Sequence, residues 1–205
     1  MVGEDFAVPL PKGIDDEHLA PLLCAGIIGY RSYRLSGAKR GDRIGLYGFG
    51  ASAHIVLQFA RHLGHEVYVF TRAEGHRALA RSLGAAWAGD AKDPAPGKLD
   101  AAIIFAPAGG LVPVALRALR KGGTVTLAGI YMSDIPSFPY DDLYHERTLR
   151  SVANATRQDA RECMELAAEA QVKTTVQVFE LAEANEALLA LKQSRIDGAG
   201  VLKIR

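Results

Sequence analysis

The stretch Ile44-Gly45-Leu46-Tyr47-Gly48-Phe49-Gly50-Ala51-Ser52-Ala53 carries the main architectural signal of the chain. A short apolar strand runs into glycines, and a helix follows with apolar residues at Ile55, Val56, Phe59, Ala60 and Leu63 until Gly64 stops it. Within the turn the pattern is Gly48-x-Gly50-x-x-Ala53. Gly48 permits the tight turn, Gly50 lets a ligand come close to the backbone, and Ala53 is small enough for the helix to pack on the strand. Ala51 and Ser52 open the helix, where unpaired N–H groups and the partial positive charge of the helix end favour phosphate. A glycine turn that binds nothing has the same residues, so the context must separate the two readings.

Outward from the turn, strands and helices alternate. Glu66–Thr71 reads as a strand, Gly75–Leu83 as a helix and Ala85–Ala88 as a short strand. A Pro-rich loop, Asp90–Lys98, precedes the buried strand Leu99–Ala106 and the helix Leu111–Leu119, which Lys121-Gly122-Gly123 closes. Thr124–Gly129 and Thr148–Ala153 are the next strands, and Arg157–Ala170 is helical. This rhythm predicts an α/β fold, a doubly wound six-stranded parallel Rossmann sheet in the order 3-2-1-4-5-6. The two ends differ from it. Phe6–Leu10 reads as an extended strand, and Asp15 and Asp16 cap a helix through His18–Cys24 that continues or restarts through Ala25–Ser36. Val176–Leu181, Ala184–Gln193 and Gly200–Ile204 read as strand, helix, strand.

Ligands of such sheets lie beyond the carboxyl ends of the strands. The second strand ends in Thr71-Arg72, without the acid that would bind ribose hydroxyls. Arg72 can pair with a 2′-phosphate through its planar guanidinium, which favours NADP; NAD stays open because Glu74 stands close by and could serve the ribose. Small residues at the ends of the fourth and fifth strands, Ala106-Pro107 and Ala128-Gly129-Ile130, leave room for a flat ring against backbone. Plain turn chemistry explains the same residues.

Composition narrows the rest. Twenty-four basic and 23 acidic side chains leave a net charge of +1, which offers no field for nucleic acid. No apolar run is long enough to span a bilayer, and Met-Val-Gly-Glu-Asp-Phe reads as neither signal nor transit peptide, so a cytoplasmic location is expected. Two cysteines, Cys24 and Cys163, show no paired-ligand spacing for zinc. Cys163 reads as helix packing, His62 and His65 as surface residues, and His54 as a neighbour of the phosphates. Cys24 by itself reads as a buried apolar helix residue.

Taken together, the residues resemble the C-terminal part of the zinc-dependent medium-chain alcohol dehydrogenases. The likeness rests on Ala20-Pro21-Leu22-Leu23-Cys24-Ala25-Gly26, Gly29-Tyr30-Arg31, Gly41-Asp42, the glycine turn through His54, Lys121-Gly122-Gly123-Thr124, and Glu146-Arg147-Thr148-Leu149-Arg150-Ser151. It implies hydride transfer between an alcohol or aldehyde and NAD(P), with zinc as Lewis acid in the intact enzyme. It also implies that Cys24 occupies a catalytic zinc-ligand position, with the other ligands absent from this chain. On this reading residues 1–30 are a remnant of a truncated GroES-like catalytic domain with a linking helix. Residues 31–172 are the Rossmann domain, and 173–205 return to the catalytic domain. The remnant strands are expected to pair with each other and with Phe6–Leu10, or across a dimer. The resemblance names Ile130–Phe138 as the homodimer strand. Two alternatives stay open: a non-catalytic NAD(P)-binding module and a zinc-free quinone reductase relative, the latter disfavoured by Cys24.

Overall fold

The computed structural model describes residues 3–4 and 7–204. Helix α1 (Asp16–Leu19) starts at Asp15, whose carboxylate accepts the His18 amide at 3.0 Å. A 3-10 turn, Ala20–Leu23, follows. Pro21 has no N–H for an α-type bond, which explains why one continuous helix does not form here. Helix α2 (Ala25–Ser36) restarts after Cys24 and ends at Gly37, which is left-handed with φ 68°. Then come β1 (Arg43–Tyr47), α3 (Ala51–His62), β2 (Glu66–Phe70), α4 (Glu74–Ser82), β3 (Trp87–Gly89), β4 (Leu99–Ile104), α5 (Leu111–Ala118) and β5 (Leu119–Leu127). The chain continues with α6 (Tyr140–Leu143), β6 (Thr148–Ser151), α7 (Arg157–Glu169), β7 (Val176–Glu180), α8 (Ala184–Lys192) and β8 (Ala199–Lys203).

Six strands form one parallel sheet in the order β3-β2-β1-β4-β5-β6, as expected. Side chains alternate across it. Ile44, Leu46, Val67, Val69 and Ile103 face the layer of α2, α3, α4 and α7, whereas Tyr47, Tyr68, Phe70, Ala102 and Ile104 face α5. Both faces are buried, so the strands read as nearly continuous apolar runs. Fully buried Phe59, edge-on to Tyr30, anchors α3 on α2, and burying such a ring contributes roughly 2–3 kcal/mol. The two helices approach closely because Gly29 has no side chain: a Cβ there would lie 2.7 Å from Val56.

Two local expectations change. Strand β5 begins at Leu119, earlier than the glycines suggested, and shifts register opposite Leu99 and Ala101. Gly123 serves the close pass: a Cβ on it would lie 2.9 Å from the Asp100 carbonyl. At the N-terminal end, residues 7–10 are not a strand, and Phe6 lies outside the described residues. Pro9 and Pro11 cannot donate to a ladder, and this segment lies instead along Met164 and Ala168 of α7.

Strands β7 and β8 pair with each other in parallel and form a separate two-stranded sheet. Leu19 and Leu22 belong to the same buried cluster as Ile44 and Phe59, so the segment before α2 packs into the core of the large sheet.

Candidate nucleotide site

The strand order reverses direction between β1 and β4, and the crevice at their carboxyl ends is where ligands of such sheets bind. Backbone bonds fix this end. Gly48 N–H donates to Phe70 O at 2.8 Å, and Phe105 N–H donates to Tyr47 O at 2.9 Å. Gly48 is left-handed at φ 86°, and a Cβ on it would stand 2.9 Å from the Ala106 amide nitrogen. Gly50 is different: its φ is −110°, open to any residue, and a Cβ there would meet nothing within 4 Å. The protein's own packing therefore does not require glycine at 50. The space that a side chain would fill is left open beside the first turn of α3.

That helix end is electrostatically vacant. Gly50 supplies no side-chain cap, and the first turn holds no acidic residue. Ala51, Ser52 and Ala53 thus stand at a helix start whose N–H groups suit an anion. The residues fit the pyrophosphate of a dinucleotide in both shape and charge.

At the end of β2, Thr71 is buried and Arg72 exposed. Among the described residues the Arg72 guanidinium has no hydrogen-bond or ion-pair partner. Glu74 is engaged by Arg77 at 3.3 Å and Arg81 at 3.0 Å. Arg77 was not legible as a site residue. It donates to the Thr71 carbonyl at 2.9 Å and to the Arg72 carbonyl at 2.8 Å, which shapes the loop that presents Arg72. Only the tertiary path of that loop reveals the role.

The ends of β4 and β5 lie side by side: a Cβ on Gly129 would meet the Pro107 Cα at 3.3 Å and the Ala106 carbonyl at 3.4 Å. Ala106, Ala128 and Gly129 are half-buried, and Pro107 and Ile130 are exposed. Ser133, also missed, accepts the Gly109 amide at 3.0 Å and locks the loops after β4 and β5 together.

Three histidine and cysteine expectations need correction. His54 is fully buried, with its ring turned into the fold and not out over the turn. Its Nδ1–H donates to the Gly50 carbonyl at 3.2 Å and its Nε2 accepts the Thr175 amide at 3.2 Å. His65 is buried rather than on the surface, with its Nδ1–H toward Asp42 O and its Nε2 accepting from Tyr33. Cys24, by contrast, is exposed at the junction between the 3-10 turn and α2, so it is not a buried apolar residue. Cys163 is buried, and burial followed by the Asp159 charge pushes its thiol up to about 12. Among the described residues no group of three or more His, Cys, Asp or Glu side chains could hold a metal ion. A catalytic zinc site needs about three protein ligands, and Cys24 alone does not supply them.

Sheet order, the crevice at its switch point and the uncapped helix beyond Gly50 together define a Rossmann-type domain. The chain matches the family model described as zinc-binding dehydrogenase over residues 53–169, and it belongs to that family. It is 50% identical over 200 residues to the "Probable alcohol dehydrogenase AdhA" of Mycobacterium tuberculosis, a match spanning 97% of this chain and 58% of that protein. An alcohol dehydrogenase of Geobacillus stearothermophilus is 31% identical over 209 residues, or 98% of this chain and 62% of that one. Among solved structures, the cinnamyl alcohol dehydrogenase SbCAD4 of Sorghum bicolor superposes with a TM-score of 0.87 at 25% identity, covering 98% of this chain and 59% of that one. The chain therefore spans about three fifths of the length of these relatives.

Proposed function

We propose that this chain is the NAD(P)-binding part of an alcohol dehydrogenase that transfers hydride between an alcohol or aldehyde and the nicotinamide. The single observation that carries the reading is Gly50, whose open side-chain space abuts an uncapped helix start at the sheet's switch point. When bound, the nicotinamide would supply the hydride chemistry. The chain's own residues would hold it: Ala51, Ser52 and Ala53 through helix N–H groups, and the loops after β4 and β5 by presenting Ala106, Pro107, Ala128, Gly129 and Ile130. Arg72, without a partner among the described residues, is the group we assign to a 2′-phosphate, and Glu74 is already taken by two arginines. NADP is therefore the preferred cofactor. Cys24 is a zinc-ligand position only by family likeness. The division into 1–30, 31–172 and 173–205 belongs to the same reading. So do a cytoplasmic location, in keeping with two free cysteines, and a homodimer built on 130–138, where Ile130 and Tyr131 are exposed.

Trp87, the only tryptophan, has its ring 5.0 Å from that of Phe70 at the end of β2, so its fluorescence can report nucleotide binding. Titration with NADPH and NADH should show saturable binding of both, tighter for NADPH. Failure of both below millimolar concentration would overturn the reading. Arg72→Asp should reverse the preference towards NADH by about tenfold or more, since one charge-assisted pair is lost and a like charge is added. Alcohol oxidation measured on the same sample separates an enzyme from a module that binds nucleotide without turnover.

A further inference from the structure

His54 is fully buried and lies outside the group of residues assigned to the cofactor. Its two ring nitrogens are used in opposite senses. Nδ1–H donates to the Gly50 carbonyl at 3.2 Å, and Nε2 accepts the Thr175 amide at 3.2 Å. A carbonyl can only accept and an amide N–H can only donate, so this geometry requires the neutral Nδ1–H tautomer.

The partners at the two ends matter. Gly50 is the residue of the turn whose open space suits pyrophosphate. Thr175 lies immediately before β7, and its carbonyl accepts the Ala199 amide at 2.9 Å, where β8 begins. One ring thus joins the nucleotide turn to the residue on which both strands of the small sheet hang. A turn further along α3, Gln58 donates to the Lys173 carbonyl at 3.0 Å and accepts the Lys173 amide at 2.9 Å, without touching Gly50. Burial, opposed by the Gly50 and Ala51 backbone, is what acts on His54; no charged side chain contributes.

We propose that His54 is a positioning residue that couples occupancy of the nucleotide turn to the seating of the β7–β8 unit. The proposal rests on the cofactor reading given above. Binding that fixes the Gly50 carbonyl strengthens the hold on Thr175, and by linkage a well-seated Thr175 favours nucleotide by the same factor. His54→Gln keeps an acceptor that can reach Thr175, and His54→Asn keeps a donor that can reach Gly50. The imidazole of His54 does both at once.

The test is amide hydrogen exchange at 173–176 in the full chain, with and without NADPH, alongside the NADPH dissociation constant. In the unsubstituted chain NADPH should slow exchange of the Thr175 amide. In His54→Gln and His54→Asn that slowing should disappear, with NADPH bound about fivefold more weakly, the equivalent of one net hydrogen bond. In Gln58→Ala, exchange at Lys173 should quicken while NADPH still protects Thr175. Equal NADPH protection of Thr175 in either His54 variant overturns the coupling. Should both variants fail to fold, the unsubstituted chain still decides: NADPH that binds without changing Thr175 exchange overturns it. Absence of any nucleotide binding to the unsubstituted chain overturns the cofactor reading instead, and the coupling with it.

Discussion

At the scale of the single residue, the two glycines of the turn do different work, and substitution should separate them. Gly48→Ala forces a side chain onto a left-handed backbone against Ala106, and we expect it to lower stability by about 2 kcal/mol in a urea titration. Gly50→Ala adds only a Cβ, which meets no neighbour within 4 Å. It should leave the urea midpoint nearly unchanged while weakening NADPH about tenfold or more, because the side chain fills the approach to the helix start. Equal loss of stability in both variants would contradict this division. His54 makes a pH prediction. Burial holds its imidazole below the ordinary 6.5, so the unfolded chain takes up the proton first. Its contribution is fully present above about pH 6.5 and is lost as pH falls towards the depressed folded value. The urea midpoint should therefore drop between about pH 7.5 and about pH 5, and drop less in His54→Gln.

Between elements, a buried carboxylate joins α2 to α7. Asp159 is completely buried, faces Arg34 at 2.9 Å and Arg31 at 3.3 Å, and closes a capping box with Thr156. Burial alone would push its carboxyl up. The Thr156 hydroxyl and amide, then the two arginines, outweigh it and hold the group below the usual carboxylate value. Stability from Asp159 is thus present above its unfolded value of about 3.9 and is lost on acidification through the lower folded value. Asp159→Asn should cost about 3 kcal/mol at neutral pH by thermal or urea unfolding, since it leaves two arginines without their buried partner. The periodicity of 157–170 made this helix legible, but nothing in the spacing of Arg31, Arg34 and Asp159 announced that they meet. Their contact spans more than a hundred residues of chain and depends on how α2 crosses α7.

For the molecule as a whole, one region of exposed apolar side chains lies at the small sheet. Leu188 and Leu191 on α8 are 63% and 61% exposed, and Ile204 beside β8 is 72% exposed. None of the three contributes to the core, so Leu188→Glu with Leu191→Lys should change stability by no more than about 0.5 kcal/mol per site. The same double variant should reduce binding of an apolar dye. A second exposed region holds Ile130, Tyr131 and Ile135, the segment read as a homodimer strand. Sedimentation should give a dimer, and Ile130→Lys with Ile135→Lys a monomer; a monomer before substitution would end that proposal.

Local spacing was enough to determine the sheet, its order and the glycine turn, because strand alternation and helix periodicity are written in consecutive residues. For the two strands near the end of the chain the sequence left pairing with each other and with Phe6–Leu10, or across a dimer, both open; β7 pairs with β8, without residues 7–10. The expectation for residues 7–10 went wrong because prolines deny a ladder its donors, a cue present in the sequence but outweighed by the apolar run. Tertiary structure alone decided the remainder. His54 lies only four residues past Gly50 and seemed to face the phosphates, yet its ring turns inward to bridge Gly50 and Thr175. Arg77 presents Arg72 by binding two carbonyls, and His65 is covered by Tyr33. Each of these depends on what a side chain meets across the fold, and a hydrogen bond between distant segments leaves no periodic trace in the residues that make it.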